Sequence, residues 1–245
     1  MNTVRSSDGT LIAYDRVGTG PAIIMVGGAL SDRAGAASLA AALAPRLSAI
    51  AYDRRGRGDS GDTPPYAVER EIEDLDALIV EAGGQAFVYG HSSGAALAME
   101  AVVSGLPITK LALRAHPGGT VAAGRRGDAV EYFWREGLQL PPEMITQMRA
   151  APWWPGMEAL AHTLSYDGEV MGDHMTGKPL PAEWAARVTI PTLVIDGAES
   201  PAQLRNAVAA VTDLLPHAER RTLAGQGHGA PAEVLAPILE AFLLG

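Results

Sequence analysis

The chain has 245 residues, 47% hydrophobic and 19% charged, with a formal net charge of −9 and no Cys. This length suits one large domain with a buried core. The negative balance, without long charge runs, argues against nucleic acid or an anionic membrane surface as partner, and the lack of thiols excludes disulfides and thiolate metal sites.

The amino end has no apolar core of signal-peptide length, and no stretch reaches the length of a membrane span. The expected location is the cytoplasm, and composition points to a bacterial source. Thr3 to Arg5 and Thr10 to Val17 flank Ser7-Asp8-Gly9 and read as a hairpin. Ala22 to Val26 is continuously apolar, as a strand covered on both faces should be, and it ends in Gly27-Gly28. Ala36 to Ala44 reads as a helix stopped by Pro45. Ser48 to Tyr52 is the next strand, followed by the polar, Gly-rich loop Asp53 to Gly61. Ala67 to Ala82 is amphipathic. Val68, Ile72, Leu75, Leu78 and Ile79 share one face, with Glu69, Glu71, Glu73 and Asp74 largely elsewhere.

Ala86 to Tyr89 is a short apolar strand that runs into Gly90-His91-Ser92-Ser93-Gly94, a G-x-S-x-G sequence. Ala95 to Val103 then favours helix. Strand, sharp turn and helix are the context of a nucleophile elbow, in which flanking side chains would collide with neighbouring backbone. Lys110 to Arg114 is the sixth strand. Pro191 to Asp196 and Glu219 to Leu223 are strands, and Ala202 to Leu215 and Ala232 to Leu244 are helices. This alternation predicts an α/β fold with a mostly parallel sheet flanked by helices and a partly antiparallel edge. Residues 1–116 and 188–245 are expected to form the core.

Residues 117–187 break the alternation. They hold every Trp of the chain (Trp134, Trp153, Trp154, Trp184) and most of its Met, and read as a helical lid inserted after the sixth strand. Most of these side chains would form the lid's own core. Those facing the serine would favour an apolar or aromatic substrate.

Four features together resemble the α/β-hydrolase family in its small, lidded bacterial form. They are Gly27-Gly28, the loop Tyr52-Asp53-Arg54-Arg55-Gly56-Arg57-Gly58-Asp59-Ser60, the elbow, and Gly225-Gln226-Gly227-His228. The resemblance implies a nucleophilic Ser92 and a base at His228, in the family order serine, acid, histidine. It also implies an oxyanion hole from the N–H groups of Ser93 and Gly28. Where many relatives have His-Gly, this chain has Val26-Gly27, which leaves the N–H donors in place.

The acid departs from the pattern. The turn where the family carries its Asp reads Asp196-Gly197-Ala198-Glu199-Ser200, with Ser200 in the expected slot. Arg114-Ala115-His116-Pro117, after the sixth strand, offers no carboxylate either. Asp196 is the candidate acid, with Glu199, Asp167, Ser200 or a Ser-His dyad as alternatives. Asp53, Asp59 and Asp62 read as turn residues. His91 reads as a packing or pocket residue. His162, Asp167, Asp173 and His174 match no compact metal motif. No metal and no cofactor is expected. The function implied is a carboxylesterase or lactonase acting through an acyl-enzyme on a small or medium apolar ester, by a monomer or homodimer. A non-hydrolytic protein of the same fold with an incomplete triad, either a hydrophobic-ligand binder or a lyase- or perhydrolase-type catalyst, is the alternative.

Overall fold

The computed structural model describes residues 1–114, 126–137, 140–172 and 180–245. His116, Asp173, His174 and Met175, and the expected lid boundary at 116–117, lie outside these residues. Eight strands form one sheet in the order β1-β2-β4-β3-β5-β6-β7-β8. They are β1 (Asn2–Arg5), β2 (Leu11–Val17), β3 (Ala22–Val26), β4 (Ser48–Tyr52), β5 (Ala86–His91), β6 (Ile108–Arg114), β7 (Thr192–Gly197) and β8 (Ala218–Leu223). β2 pairs antiparallel with β1 and with β4. From β4 to β8 every pairing is parallel. The α/β architecture with an antiparallel edge is as expected.

Helices cover both faces of the sheet. α1 (Ala37–Leu43) and α10 (Ala232–Leu244) lie on one, where Leu43, Leu235 and Leu239 pack on Ile23, Met25, Leu193 and Ile195. α2 (Val68–Ala82), α3 (Ser93–Val103) and α9 (Ala202–Leu214) lie on the other, where Leu75, Leu78, Leu97 and Val208 pack on Ile24, Val26, Val88 and Val194. Successive residues of β3 thus enter opposite cores, which is why the strand is apolar without alternation.

α2 differs from its expected pattern. Glu71 and Asp74 are fully buried beside Leu75 and Leu78. They sit there because Arg54 and Arg55 enter from the Gly-rich loop and pair with them. Periodicity alone assigns charge to the solvent face, and these partners lie about twenty residues away in sequence.

Between β6 and β7 the described chain is helical. It comprises α4 (Arg126–Tyr132), a π turn at Phe133–Gly137, α5 (Pro142–Arg149), α6 (Trp154–Leu160), α7 (Leu164–Met171) and α8 (Ala182–Ala185). Val130, Trp154, Ala161 and Leu164 form a third apolar cluster with Leu30, which follows the glycine pair after β3. Among the described residues no helix is long and apolar enough to cross a membrane.

The elbow glycines are set by backbone contact. A Cβ on Gly90 would lie 2.6 Å from Ala95 Cα, and one on Gly94 would lie 2.6 Å from the Gly27 carbonyl oxygen and still closer to that of Val26. Gly168, within α7, has nothing within 4 Å of its Cβ position. Gly94→Ala is expected to cost about 3 kcal/mol or more, the upper range for overpacking. Gly168→Ala should gain about 0.5–1 kcal/mol from helix propensity. Urea unfolding of the two variants measures both.

Candidate active site

β5 delivers Ser92 at the carboxyl edge of the sheet. Its backbone takes φ 57° and ψ −126°, a conformation that costs on the order of 1–3 kcal/mol for a residue with a Cβ. Packing holds it there. The Ser92 N–H donates to the Arg114 carbonyl on β6 at 2.7 Å, and Gly90 and Gly94 let the backbone close on either side. α3 starts at Ser93, two residues before the expected start, so the Ser93 N–H belongs to the first helical turn, where N–H groups have no intrahelical acceptor.

The glycine loop lies against the serine. A Cβ on Gly28 would meet Ser92 Cβ at 2.8 Å and its Oγ at 3.4 Å. Only a glycine fits there, and the backbone of Gly28 is brought to the hydroxyl. Leu30 follows at φ 54°, buried in the apolar cluster of the insertion.

Behind this loop lies a buried ionic network. Arg54 forms a two-pronged pair with Glu71 at 2.7 and 2.6 Å. Its Nη1 donates to Asp167 at 2.7 Å and to the Gly27 carbonyl at 3.3 Å. Arg57 donates to Asp167 at 2.9 and 3.0 Å and to the Gly28 carbonyl at 2.7 Å. Ser93 Oγ donates to Asp167 at 2.6 Å. Burial alone would raise the Asp167 carboxyl, but Arg57 and Arg54 outweigh it and hold the group below its usual range. Burial likewise acts first on Glu71, and Arg54 lowers it in the same way.

The loop carrying His228 is held through its backbone. Arg114 donates from Nε to the His228 carbonyl and from Nη2 to the Gly227 carbonyl. Glu199 N–H donates to the Gln226 carbonyl at 2.9 Å. Gly197 lies so close to the Gln226 and Gly227 carbonyls that no side chain fits. His228 stacks on His91, with ring centroids 5.0 Å apart. His91, read from the sequence as a packing or pocket residue, stacks on the candidate base and also lines a cavity with Gly27, Ser31 and Tyr89. Burial lowers the pKa of the Arg114 guanidinium.

Asp196, the candidate acid, is the penultimate residue of β7, with its carboxylate buried and paired to Arg220 on β8. Its side-chain hydrogen bonds go to that guanidinium and, among the described residues, none goes to His228. Glu199 is exposed and Ser200 buried on the same turn. Asp167 is committed to Ser93, Arg54 and Arg57. Asp53 is more than the turn residue expected: it accepts from the Asp59 N–H at 2.9 Å within its own loop, and it also takes the N–H of Arg33 at 2.7 Å and pairs with the Arg33 guanidinium from a remote segment. Asp62 accepts from the Tyr166 hydroxyl at 2.7 Å. His162 is exposed, its Nδ1 3.0 Å from the Ala159 carbonyl.

Three arginines were not foreseen as parts of the site: Arg54, Arg57 and Arg114. A signal existed for Arg54. It stands in a Gly-rich loop before a helix whose Glu71 falls one turn from Leu75 and two turns from Leu78, on their face. Arg114 carried none, since the carbonyls it binds lie more than a hundred positions away.

A model of the alpha/beta hydrolase family matches residues 23–237. The chain is 52% identical to an alpha/beta hydrolase from Sphaerobacter thermophilus DSM 20745, over 99% of this chain and 100% of that one, with a TM-score of 0.91. It shares its fold with an enol-lactonase from Burkholderia xenovorans LB400, at 19% identity over 100% of both chains and a TM-score of 0.73. An esterase from Rhodococcus sp. ECU1013 is 20% identical over 100% of this chain and 98% of that one, with a TM-score of 0.71. No curated protein matches the chain.

The network makes stability depend on pH. A carboxyl whose folded pKa lies below its unfolded value stabilises the fold above the unfolded pKa, and that stabilisation is lost as pH falls through the folded pKa. Glu71→Gln should therefore cost about 3–5 kcal/mol at neutral pH, as for a broken buried pair. The difference from wild type should shrink as pH falls below about 4, where an unfolded carboxyl gains its proton. Urea unfolding of both proteins from pH 7 to pH 3 checks the sign.

Proposed function

The chain belongs to the alpha/beta hydrolase family, and we propose that it is a serine hydrolase cleaving small to medium, largely apolar esters or lactones through an acyl-enzyme at Ser92. One observation carries the reading. The strained Ser92 lies against Gly28 on one side and opens a helix with Ser93 on the other.

In this reading His228 takes the Ser92 proton as Oγ attacks the ester carbonyl. The carbonyl oxygen gains charge and meets the N–H groups of Gly28 and Ser93, fixed before the reaction and needing no reorganisation. Collapse breaks the ester C–O bond, and His228 returns the proton to the leaving alcohol. Water then attacks the acyl carbon with His228 again as base, which frees the acid and restores the serine. Residues 117–187 serve as the lid. The apolar preference is supported by Ala29 and Leu30, which run from the glycine loop straight into the cluster of Val130, Trp154, Phe133 and Met157. Arg114 sets the height of the histidine loop through the Gly227 and His228 carbonyls.

In this reading Asp196 supports its strand through Arg220 rather than serving as the triad acid. The same pairing favours a second reading, an apolar-ligand binder that has kept the pocket without the chemistry. A fluorophosphonate probe separates the two readings. Labelling of Ser92 at one equivalent, with turnover of aryl esters, is expected. No labelling together with tight binding of an apolar ligand would favour the binder.

Ser92→Ala should lower kcat/KM by about 10⁴-fold or more, as for triad nucleophiles elsewhere. Asp196→Asn should lower it by less than about tenfold, against roughly 10⁴-fold for a true orienting acid. Steady-state kinetics on an aryl ester measures both, and a 10⁴-fold loss in Asp196→Asn would restore Asp196 as the acid.

A further inference from the structure

Asp167 stands on α7, in the insertion, 75 positions beyond Ser92 in sequence. Its carboxylate is nevertheless where the contacts behind the glycine loop and the elbow converge. We infer that Asp167 is a positioning residue for the oxyanion hole, seated from the insertion and holding Ser93 directly and the peptides on both sides of Gly28 through Arg54 and Arg57. The inference rests on the serine-hydrolase reading and goes beyond it.

The geometry works through the peptide plane. A trans peptide points its C=O and N–H in opposite directions. The Gly27 carbonyl and the Gly28 N–H belong to one such plane. Arg54 Nη1 donates to that carbonyl at 3.3 Å and so fixes the direction of the Gly28 N–H. Arg57 Nη1 holds the next plane at the Gly28 carbonyl, at 2.7 Å. A cation on a peptide oxygen also polarises the chain of hydrogen bonds and makes the N–H a stronger donor.

The two guanidinium groups need an anchor of their own. Glu71 takes the far prongs of Arg54. Asp167 takes Arg54 Nη1 and Arg57 Nη2, and it also accepts from Ser93 Oγ. One carboxylate therefore sits behind both donors of the proposed hole. Two buried cations face two buried anions, and removing Asp167 leaves an unbalanced positive charge beside carbonyl oxygens that would be drawn to it.

A plain structural staple is the competing account, because Asp167 also ties α7 to the core. That docking has other supports. The rings of Tyr66 and Tyr166 stack with centroids 3.9 Å apart. The Tyr166 hydroxyl donates to Asp62 at 2.7 Å. Leu164, Val170 and Met171 are buried. The effect of Asp167 on the hole is thus separable from the seating of the helix.

The test is Asp167→Asn, which keeps the shape and removes the charge. Fluorophosphonate end-point stoichiometry counts competent sites, so misfolded protein drops out of the rate. The expected result is a fall in kcat per titrated site of about tenfold or more, short of the roughly 10²–10³-fold for removing a donor outright because the N–H groups remain, with KM within about twofold. Affinity for an aryl boronic acid, which forms a tetrahedral anion on Ser92, should fall by the same factor. Affinity for a matching aryl ether, which forms no adduct, should not change. A variant with a lower melting temperature but unchanged kcat per site and unchanged boronate affinity overturns the inference. Should Asp167→Asn not fold, Ser93→Ala removes one bond to Asp167 and keeps the backbone N–H. A fall in its kcat per site at constant KM supports the inference, and wild-type values overturn it. A wild-type protein inert to both probe and ester refutes the serine-hydrolase reading itself, a result distinct from any of these.

Discussion

Two guanidinium groups with no access to water occupy the space between the glycine loop, α2 and α7. Burying one such ion without a partner costs several kcal/mol. The constraint is met only when α2 brings Glu71, α7 brings Asp167 and the glycine loop turns its carbonyls inward. Three segments remote in sequence are thereby locked to one another. A hydrophobic contact tolerates small shifts, whereas a charge shared between a carboxylate and a peptide oxygen fixes direction as well as distance. The glycine loop beside Ser92 is thus specified by charge as well as by close backbone contact.

The sheet and its helices were legible because their signals are local. A five-residue apolar run, an Asp-Gly turn and a 3.6-residue period are all read within a short window. The elbow was legible for a related reason, since Gly90 and Gly94 record contacts that leave no room for a side chain. The interior of α2 was not. Glu71 and Asp74 look solvated until Arg54 and Arg55 are placed, and the position of a loop side chain is a tertiary fact. The same limit applies to Asp167. Its sequence context shows a carboxylate in an aromatic helical insertion, and its three partners come from two other segments.

The acid marks the point where pattern and geometry part. Asp196 stands in the turn where the family resemblance implies an acid, yet β8 places Arg220 on the neighbouring strand, close enough to take the carboxylate. Register decides this. Val194 is the direct neighbour of Arg220, and the long guanidinium reaches two residues along β7 to Asp196. A sequence reading that knows the turn but not the register across from it cannot separate an orienting acid from half of a cross-strand ion pair.

The two halves of the site are built by different means. The serine and the glycine loop are set by close backbone contact, with the cations Arg54 and Arg57 behind the loop. The histidine loop carries several glycines and would move freely by itself. It is tethered by its carbonyls to Arg114, whose own backbone oxygen accepts the Ser92 N–H. One residue at the end of β6 therefore touches Ser92 through its main chain and the His228 loop through its side chain. A shift of β6 would carry both groups together, so the distance between them is better protected than either position alone. A common anchor of this kind is a physical way to keep a serine and a histidine in register.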